Sequence, residues 1–358
     1  MWAVQTEVMK AAEAFRQQGE GCAALGSRMY AELLYGLARD IDQRGPTARV
    51  LREHEDDPGP SALALRLLGS VHRLVLERRA GGLAAYYPSV GGHWHSEHGV
   101  PAFIALLDRD HEAVRGWLDR PPQTNEVGRA TGLMGGLLHL PEALRRPLRL
   151  FEIGCSGGLN LLAHRFSYVD SAGARFGAER SPVHLRPAWH ANSLVPWPGL
   201  EVVEAAGCDL SPVDVGTTEG RLALTAYVWP DQRHRLERLR GAFQLAQPTP
   251  PAVRRQGAAD FLDDIELEDG TTTVVWHSVM WQYLSIEERE RAAARIEALG
   301  EQSDARAGIV HLFLEPTRRD PGRDHEFLVV LTSWPDGERR VLGRAAPHGV
   351  PVTWEPEG

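Results

Sequence analysis

A short run of small residues, Gly154-Cys-Ser-Gly-Gly158, offers the most specific chemistry in this sequence. It follows an apolar segment over residues 148–153 that is typical of a buried strand, and Glu152 stands just before it. Small residues at a strand-to-helix turn let the backbone approach a ligand closely, and a nearby acidic side chain can accept charge-assisted hydrogen bonds. The pattern therefore predicts a cofactor site at this turn.

The order Glu-x-Gly-x-Ser-x-Gly resembles the first motif of the Rossmann-like S-adenosylmethionine-dependent methyltransferases, with Ser156 where a glycine often stands. Gly207-Cys-Asp209 is similar to their second motif, whose acidic residue accepts from both ribose hydroxyls, and Gln256-Gly-Ala-Ala-Asp260 resembles the stretch that meets the adenine. Asp209 follows Gly154 by 55 residues, against about 20 in the compact pattern, so we expect an insertion over roughly residues 167–200. The cofactor-binding residues that this resemblance implies are Glu152, Gly154, Ser156, Gly158, Asn160, Asp209 and Asp260.

The same five residues also read G-x-S-x-G, the nucleophile elbow of a serine hydrolase. Ser156 would be the nucleophile, and Glu315 and His348 follow it in the order that such enzymes use. An elbow lies in mid-sheet after several strands, whereas the first 146 residues here have helical periodicity. The cofactor site is the preferred interpretation, and a hydrolase and a non-catalytic ligand-binding module are the alternatives.

Polar residues at the ends of later apolar runs are candidates for acid–base chemistry. His277 and Ser278 end one predicted strand and Glu315 ends the next, which is where open parallel sheets place their ligands. A histidine and a glutamate so placed can act as a general base and its orienting carboxylate, or as capping groups. Asp231, in Trp229-Pro-Asp-Gln232, is predicted to close over the site as a third catalytic residue, although a Pro-Asp turn needs no function.

Two polar segments precede this region. Gln123-Thr-Asn-Glu-Val-Gly-Arg129 favours either a helix start capped by Thr124 or Asn125, or a wall that binds the acceptor or the cofactor, with Gln123, Asn125, Glu126 and Arg129 as the substrate-binding residues. His93-Trp-His95-Ser-Glu97-His98 contains three histidines and a carboxylate, yet its spacing matches no metal signature. We expect a solvated loop there and no metal, with a lid as the alternative.

Hydrophobic periodicity divides the chain at Pro147. Residues 1–146 predict a helical cap domain, with helices at 6–17, 28–39, 101–118, 130–145 and one from Leu63 to Arg79 capped by Ser61. Residues 147–358 predict a Rossmann-like, mostly parallel sheet, because strands alternate with helices at 233–246 and 286–299. Asp336-Gly337 predicts an antiparallel edge hairpin. The predicted strands are 148–153, 201–208, 222–228, 272–275, 309–314, 327–332 and 339–342.

Composition excludes several mechanisms. Only one of the 39 basic residues is a lysine, Lys10, and its context rules out a phosphate-binding-loop lysine or a pyridoxal Schiff base. The net charge of −9 argues against a nucleic-acid surface, and no stretch of about 18 apolar residues suggests a membrane span. The three cysteines share no paired spacing. These features favour a cytoplasmic protein that binds a small-molecule substrate, neither nucleic acid nor membrane.

Four strings together resemble a bacterial family known only as a domain of unknown function. They are Gln123–Arg129, Glu152-Ile-Gly-Cys-Ser-Gly-Gly-Leu-Asn160, Val228-Trp-Pro-Asp-Gln232 and Pro347-His-Gly349. The resemblance covers roughly residues 86–354 and implies a helical part joined to a methyltransferase-like Rossmann core, without implying a reaction. The expected function is S-adenosylmethionine-dependent methyl transfer to a small acceptor.

Overall fold

The computed structural model describes residues 11–54, 57, 62–119, 122–190, 194–320 and 322–356. The proposed cap Ser61 and the first half of the predicted helix 6–17 lie outside these residues. The chain forms two compact units, Met1–Thr124 with Leu222–Leu236, and Asn125–Arg221 with Glu237–Gly358. This division differs from the predicted boundary at residue 146, because the helix Ala130–Leu138 packs on the sheet of the second unit, where Gly136 meets Leu312.

The first unit is helical. Apolar residues at helical spacing in its second and fourth helices, such as Leu33 and Leu37 or Leu67 and Val71, are fully buried and belong to its core. The segment predicted as one helix over 101–118 is two helices that meet at Asp110. The helices are α1 Ala11–Ala24, α2 Arg28–Asp42, α3 Pro46–Val50, α4 Leu63–Leu76, α5 Ser96–Arg109 and α6 His111–Leu118.

The second unit is built on a large sheet that has nine strands within the described residues. Its strands are β1 Leu148–Ile153, β5 Trp189–His190, β6 Val202–Asp209, β7 Ala252–Arg255, β8 Thr272–Ser278, β9 Gly308–Thr317, β10 Glu326–Ser333, β11 Glu338–Ala345 and β12 Val352–Trp354. They lie in the order β5-β12-β11-β10-β9-β8-β1-β6-β7. The five from β7 to β9 are parallel, and β10 and β11 form an antiparallel hairpin beside β9. The prediction of a mostly parallel sheet with an antiparallel edge is confirmed.

Helices cover both faces of this sheet, as buried parallel strands require. Trp276 and Leu312 point toward α7 (Ala130–Leu138), whose Gly132 and Gly136 allow close contact. Side chains alternate along a strand, so Val275 points to the other face, where it packs in one cluster with Ile296 of α11 (Ile286–Gln302). A short helix, α10 (Ala258–Asp263), lies beside α11.

The predicted strand 222–228 is wrong, because most of that segment belongs to α8 (Thr218–Ala226). Its Leu and Ala residues are strong helix formers, and an apolar run this short does not distinguish the two structures. Helix α9 (Arg233–Ala246) begins and ends as predicted. The predicted insertion forms a small sheet of β2 (Ser167–Val169), β3 (Arg175–Gly177) and β4 (His184–Leu185), followed by β5.

Across the described part of the chain, each helix is too short or too polar to cross a lipid bilayer.

Candidate functional site

The glycine turn after β1 lies where the strand order reverses. The chain passes from β1 to β6 and β7 on one side and then to β8 and β9 on the other. Such a switch point opens a crevice at the carboxyl ends of the strands, which is where ligands bind in open α/β sheets. Gly154 and Gly158 have φ values of +65° and +69°, and Ser156 between them has +54°. A Cβ on Gly154 would lie 2.8 Å from Met280, so this turn requires glycine.

Asp209 ends β6 and is bonded to the glycine turn. Its Oδ2 accepts a hydrogen bond from the Ser156 backbone N–H at 2.9 Å, and its Oδ1 accepts one from Ser211 N–H at 2.8 Å. The backbone N–H of Gln256, just beyond β7, donates to the Asp209 carbonyl at 3.2 Å. The structure thus brings the three segments that resemble methyltransferase motifs to the ends of the neighbouring strands β1, β6 and β7. Asp260 is exposed on α10 and pairs with Arg291 at 2.6 Å, and its contact with adenine stays a prediction.

Glu152 and two neighbours leave polar atoms buried on the α7 side of the sheet. Glu152 is only 2% exposed. Its Oε2, the Oδ1 of Asn160 and the Nε1 of Trp276 are buried and make no hydrogen bond within the described residues. Burial raises the pKa of Glu152 to about 8, while the nearby polar side chains of Asn160 and Trp276, which stay outside hydrogen-bond geometry with its carboxyl, and the charge of Arg129 oppose the rise. Because buried polar atoms are normally paired, this group fits a polar ligand or ordered water.

The segment 125–129 ties this turn to other loops of the second unit. The Asn125 side chain accepts from Leu159 N–H at 2.9 Å, and the backbone carbonyl of Glu126 accepts from the Asn160 side chain at 3.4 Å. Arg129 donates to the carbonyls of Pro347 and Ser278 at 3.1 and 3.3 Å. Asn125, Glu126 and Arg129 are therefore gathered beside the candidate site.

The same segment begins a short 3₁₀ helix, Val127–Arg129, and its cap differs from the prediction. The capping residue is Glu126, whose Oε1 accepts from Gly128 N–H at 3.0 Å, rather than Thr124 or Asn125. Gln123 is half-buried and belongs to the first unit. The second unit therefore contains three of the four residues predicted to bind the acceptor, and their contact with an acceptor stays a prediction.

His277 and Glu315 are hydrogen-bonded to each other, as the sequence suggested for an acid–base pair. The distance from His277 Nδ1 to Glu315 Oε1 is 2.8 Å, and the two residues are 2% and 5% exposed. The same oxygen accepts from the backbone N–H groups of Met280 and Trp281 at 3.0 and 3.2 Å. Glu315 is thus engaged with His277, which weakens the hydrolase interpretation that paired it with His348.

These bonds also hold the turn after β8. Val279 has a φ of +49°, an uncommon conformation for a β-branched residue. The two amide bonds to Glu315 follow directly after Val279, and the next side chain, Met280, lies against Gly154. Glu315 therefore positions the segment that contacts the glycine turn.

His311 is a candidate that the sequence interpretation missed. Its Nε2 lies 3.0 Å from the Nε2 of His277, whose ring stacks on Trp281 and Phe313 at centroid distances of 4.8 and 5.3 Å. A signal was present, because residues 311, 313 and 315 alternate along one strand and must share a face. The structure therefore contains a continuous Glu315–His277–His311 network.

Asp231 lies in the first unit, where it joins the N-cap residue Ser27 in capping the start of α2. Its carboxylate accepts from Ser27 Oγ at 2.7 Å and from Met29 N–H at 3.0 Å. It also lines a cleft of about 520 Å³ with Arg28, Glu32, Trp94, His95, Ser96, Glu97 and His98. The predicted loop is partly helical, because α5 begins at Ser96. Over the described ranges, no three His, Cys, Asp or Glu side chains are grouped as metal ligands would be.

Asp231→Ala is expected to destabilise the first unit by about 1–2 kcal/mol, because it removes a helix cap and leaves Ser27 without its acceptor. Urea denaturation of the full chain followed by circular dichroism measures this change. Asp108→Ala is the matched control, since Asp108 is exposed and pairs with Arg49 at the surface, where an ion pair contributes little. Equal stabilities of the two variants would contradict the capping role.

The second unit thus has an α/β fold of Rossmann-like type, with a glycine turn at its switch point. The first unit is helical. A family model described as "Uncharacterized protein conserved in bacteria (DUF2332)" matches residues 12–354, and the chain belongs to this family. The resemblance noted from the four sequence strings is confirmed. Searches of curated proteins and of solved structures gave no match.

Proposed function

We propose that the glycine turn after β1 binds S-adenosylmethionine and that the protein transfers its methyl group to a small-molecule acceptor. The observation that carries this proposal is the placement of Asp209 on β6 directly beside the turn, at the switch point of a parallel sheet. Gly154 and Gly158 would let the backbone approach the cofactor, and Asp209 would accept from the ribose hydroxyls. Glu152 and Asn160 would meet its polar amino-acid end.

The buried polar atoms support this assignment. Glu152 Oε2, Asn160 Oδ1 and Trp276 Nε1 offer hydrogen-bonding capacity that the protein leaves unused. The bound cofactor would supply an electrophilic methyl group. The chain itself would exclude water from this region and hold the acceptor's proton near the His277–Glu315 pair, whose carboxylate fixes the ring orientation. Arg129 and Asn125 would keep the surrounding loops in place.

Calorimetric titration of the full chain with S-adenosylmethionine and S-adenosylhomocysteine tests the proposal. Saturable binding of both at one site per chain is expected. Failure of both to bind at millimolar concentration would contradict it. Labelling of Ser156 by a fluorophosphonate would instead favour the hydrolase, and binding without turnover over a broad acceptor panel would favour a ligand-binding module.

Asp209→Asn is expected to weaken S-adenosylhomocysteine binding by about 10- to 100-fold, because charge-assisted hydrogen bonds to the ribose are lost while the shape is kept. Asp214→Asn is the control, since Asp214 also accepts a backbone N–H in an exposed turn, from Gly216 at 2.8 Å. It should bind as the wild type does. An unchanged affinity in Asp209→Asn would remove Asp209 from the cofactor site.

A further inference from the structure

The proton positions in the Glu315–His277–His311 network follow from its backbone donors. Met280 N–H and Trp281 N–H can only donate, and both meet Glu315 Oε1. That oxygen is therefore an acceptor, so the nitrogen of His277 that lies 2.8 Å from it, Nδ1, carries a proton. In neutral His277 the other ring nitrogen, Nε2, is then unprotonated and can accept a hydrogen bond.

The next contact extends this reasoning to His311. Two imidazole nitrogens 3.0 Å apart share a single proton along their hydrogen bond. Because His277 Nε2 is the acceptor, His311 Nε2 carries that proton. The other ring nitrogen of neutral His311, Nδ1, is therefore unprotonated. His311 is half-buried, and within the part of the chain that is described its Nδ1 makes no hydrogen bond. The network thus ends in a basic nitrogen.

We propose that His311 is a general base on this face of the sheet, with His277 and Glu315 as the positioning residues behind it. In the step, the X–H bond of a substrate breaks, its proton passes to His311 Nδ1, and the electron pair stays on X. The proton on His311 Nε2 then moves to His277 Nε2. The positive charge comes to lie on His277 beside the Glu315 carboxylate. His311 as the base, His277 as its hydrogen-bond partner and Glu315 as the orienting carboxylate form a chain of the kind found in catalytic triads.

The surroundings indicate an anionic substrate. Thr332 lies opposite His311 on β10, and Arg339 lies opposite Thr332 on β11, so the three share one face. Burial, the neighbouring His277 and the Arg339 charge hold the pKa of His311 well below its usual value, which keeps its ring neutral at pH 7. Among the described residues, His277 and Arg339 are the charged or titratable groups that act on His311, and Glu315 lies behind His277. The exposed Arg339 would attract a carboxylate or similar group.

Histidine tautomers in the ¹⁵N-histidine-labelled full chain test the proposal directly. Long-range ¹H–¹⁵N spectra at pH 8 should show His277 protonated at Nδ1 and His311 protonated at Nε2, with assignments from His277→Gln and His311→Gln. His325→Gln, at an exposed position, is the control that should leave both patterns unchanged. The opposite tautomers, or His277 signals that do not respond to His311→Gln, would overturn the relay.

The substrate class is tested with malonate as a probe. Millimolar malonate should shift the His311 Nδ1 resonance in the wild type and shift it less than half as far in Arg339→Gln. No shift in the wild type would overturn the anionic-substrate assignment. Neither measurement involves S-adenosylmethionine, so the fate of this proposal is separate from that of the proposed cofactor site.

Discussion

Gly154→Ala is expected to lower the free energy of unfolding by about 2–4 kcal/mol and to abolish S-adenosylhomocysteine binding. The φ of +65° is strained for alanine, which costs about 1–3 kcal/mol, and the new Cβ would lie 2.8 to 2.9 Å from three atoms of Met280. One of those atoms is the Met280 Cβ, which moves only with its backbone. Urea denaturation of the full chain and calorimetric titration measure the two effects.

Gly173→Ala is the control that separates the cost of a positive φ at alanine from the cost of steric overlap with Met280. Gly173 has a φ of +93°, but a Cβ there would have no atom within 4 Å. It should cost about 1–3 kcal/mol from conformation alone, without the overlap that Gly154→Ala adds, and leave binding unchanged. Met280→Ala in the Gly154→Ala background should recover part of the stability, because it removes the Met280 Cγ and Cε atoms that the new Cβ would overlap. A Gly154→Ala chain as stable as Gly173→Ala would show that the turn tolerates a side chain.

The second large effect is a pH dependence that Glu152 imposes on stability. Its pKa is about 8 in the folded chain against 4.5 when unperturbed. The folded state therefore favours the protonated carboxyl, and this contribution is fully present below pH 4.5 and is lost as pH rises toward 8. Glu152→Gln stays neutral throughout. Relative to the wild type, it should gain on the order of a few kcal/mol of stability between pH 5 and pH 8.

Urea denaturation at pH 5, 6.5 and 8 measures that gain. Glu201→Gln is the control, because Glu201 is exposed just before β6, and its difference from the wild type should not change with pH. Parallel stability curves for Glu152→Gln and the wild type would mean that Glu152 is ionised in the folded chain.

Local patterns predicted the centre of the sheet well. Strands β1 and β8 are rich in apolar residues and buried at nearly every position, and their short apolar runs are visible without knowledge of contacts. The glycine turn was recognisable for a similar reason, since the positive φ angles of Gly154 and Gly158 favour glycine. The hairpin of β10 and β11 followed from its Asp-Gly turn.

The rest depended on long-range packing. Residues 222–228 are apolar enough for a strand, but Leu and Ala also favour the helix that forms. His311 lies in the middle of a strand, so its closeness to His277 depends on the parallel register of β8 and β9, which no local pattern specifies. Asp231 looked catalytic from its turn, yet its partners Ser27 and Met29 lie about 200 residues away in sequence.

The insertion between β1 and β6 also determines how the sheet meets other molecules. By returning to pair with β12, it places Trp189–His190 as the outermost strand at one edge, among the residues that the structure describes. The opposite edge is the four-residue strand β7, which ends in Arg254 and Arg255. Edges this short or this charged offer few free backbone groups for strand addition by another chain. The large sheet is thereby protected against edge-to-edge aggregation.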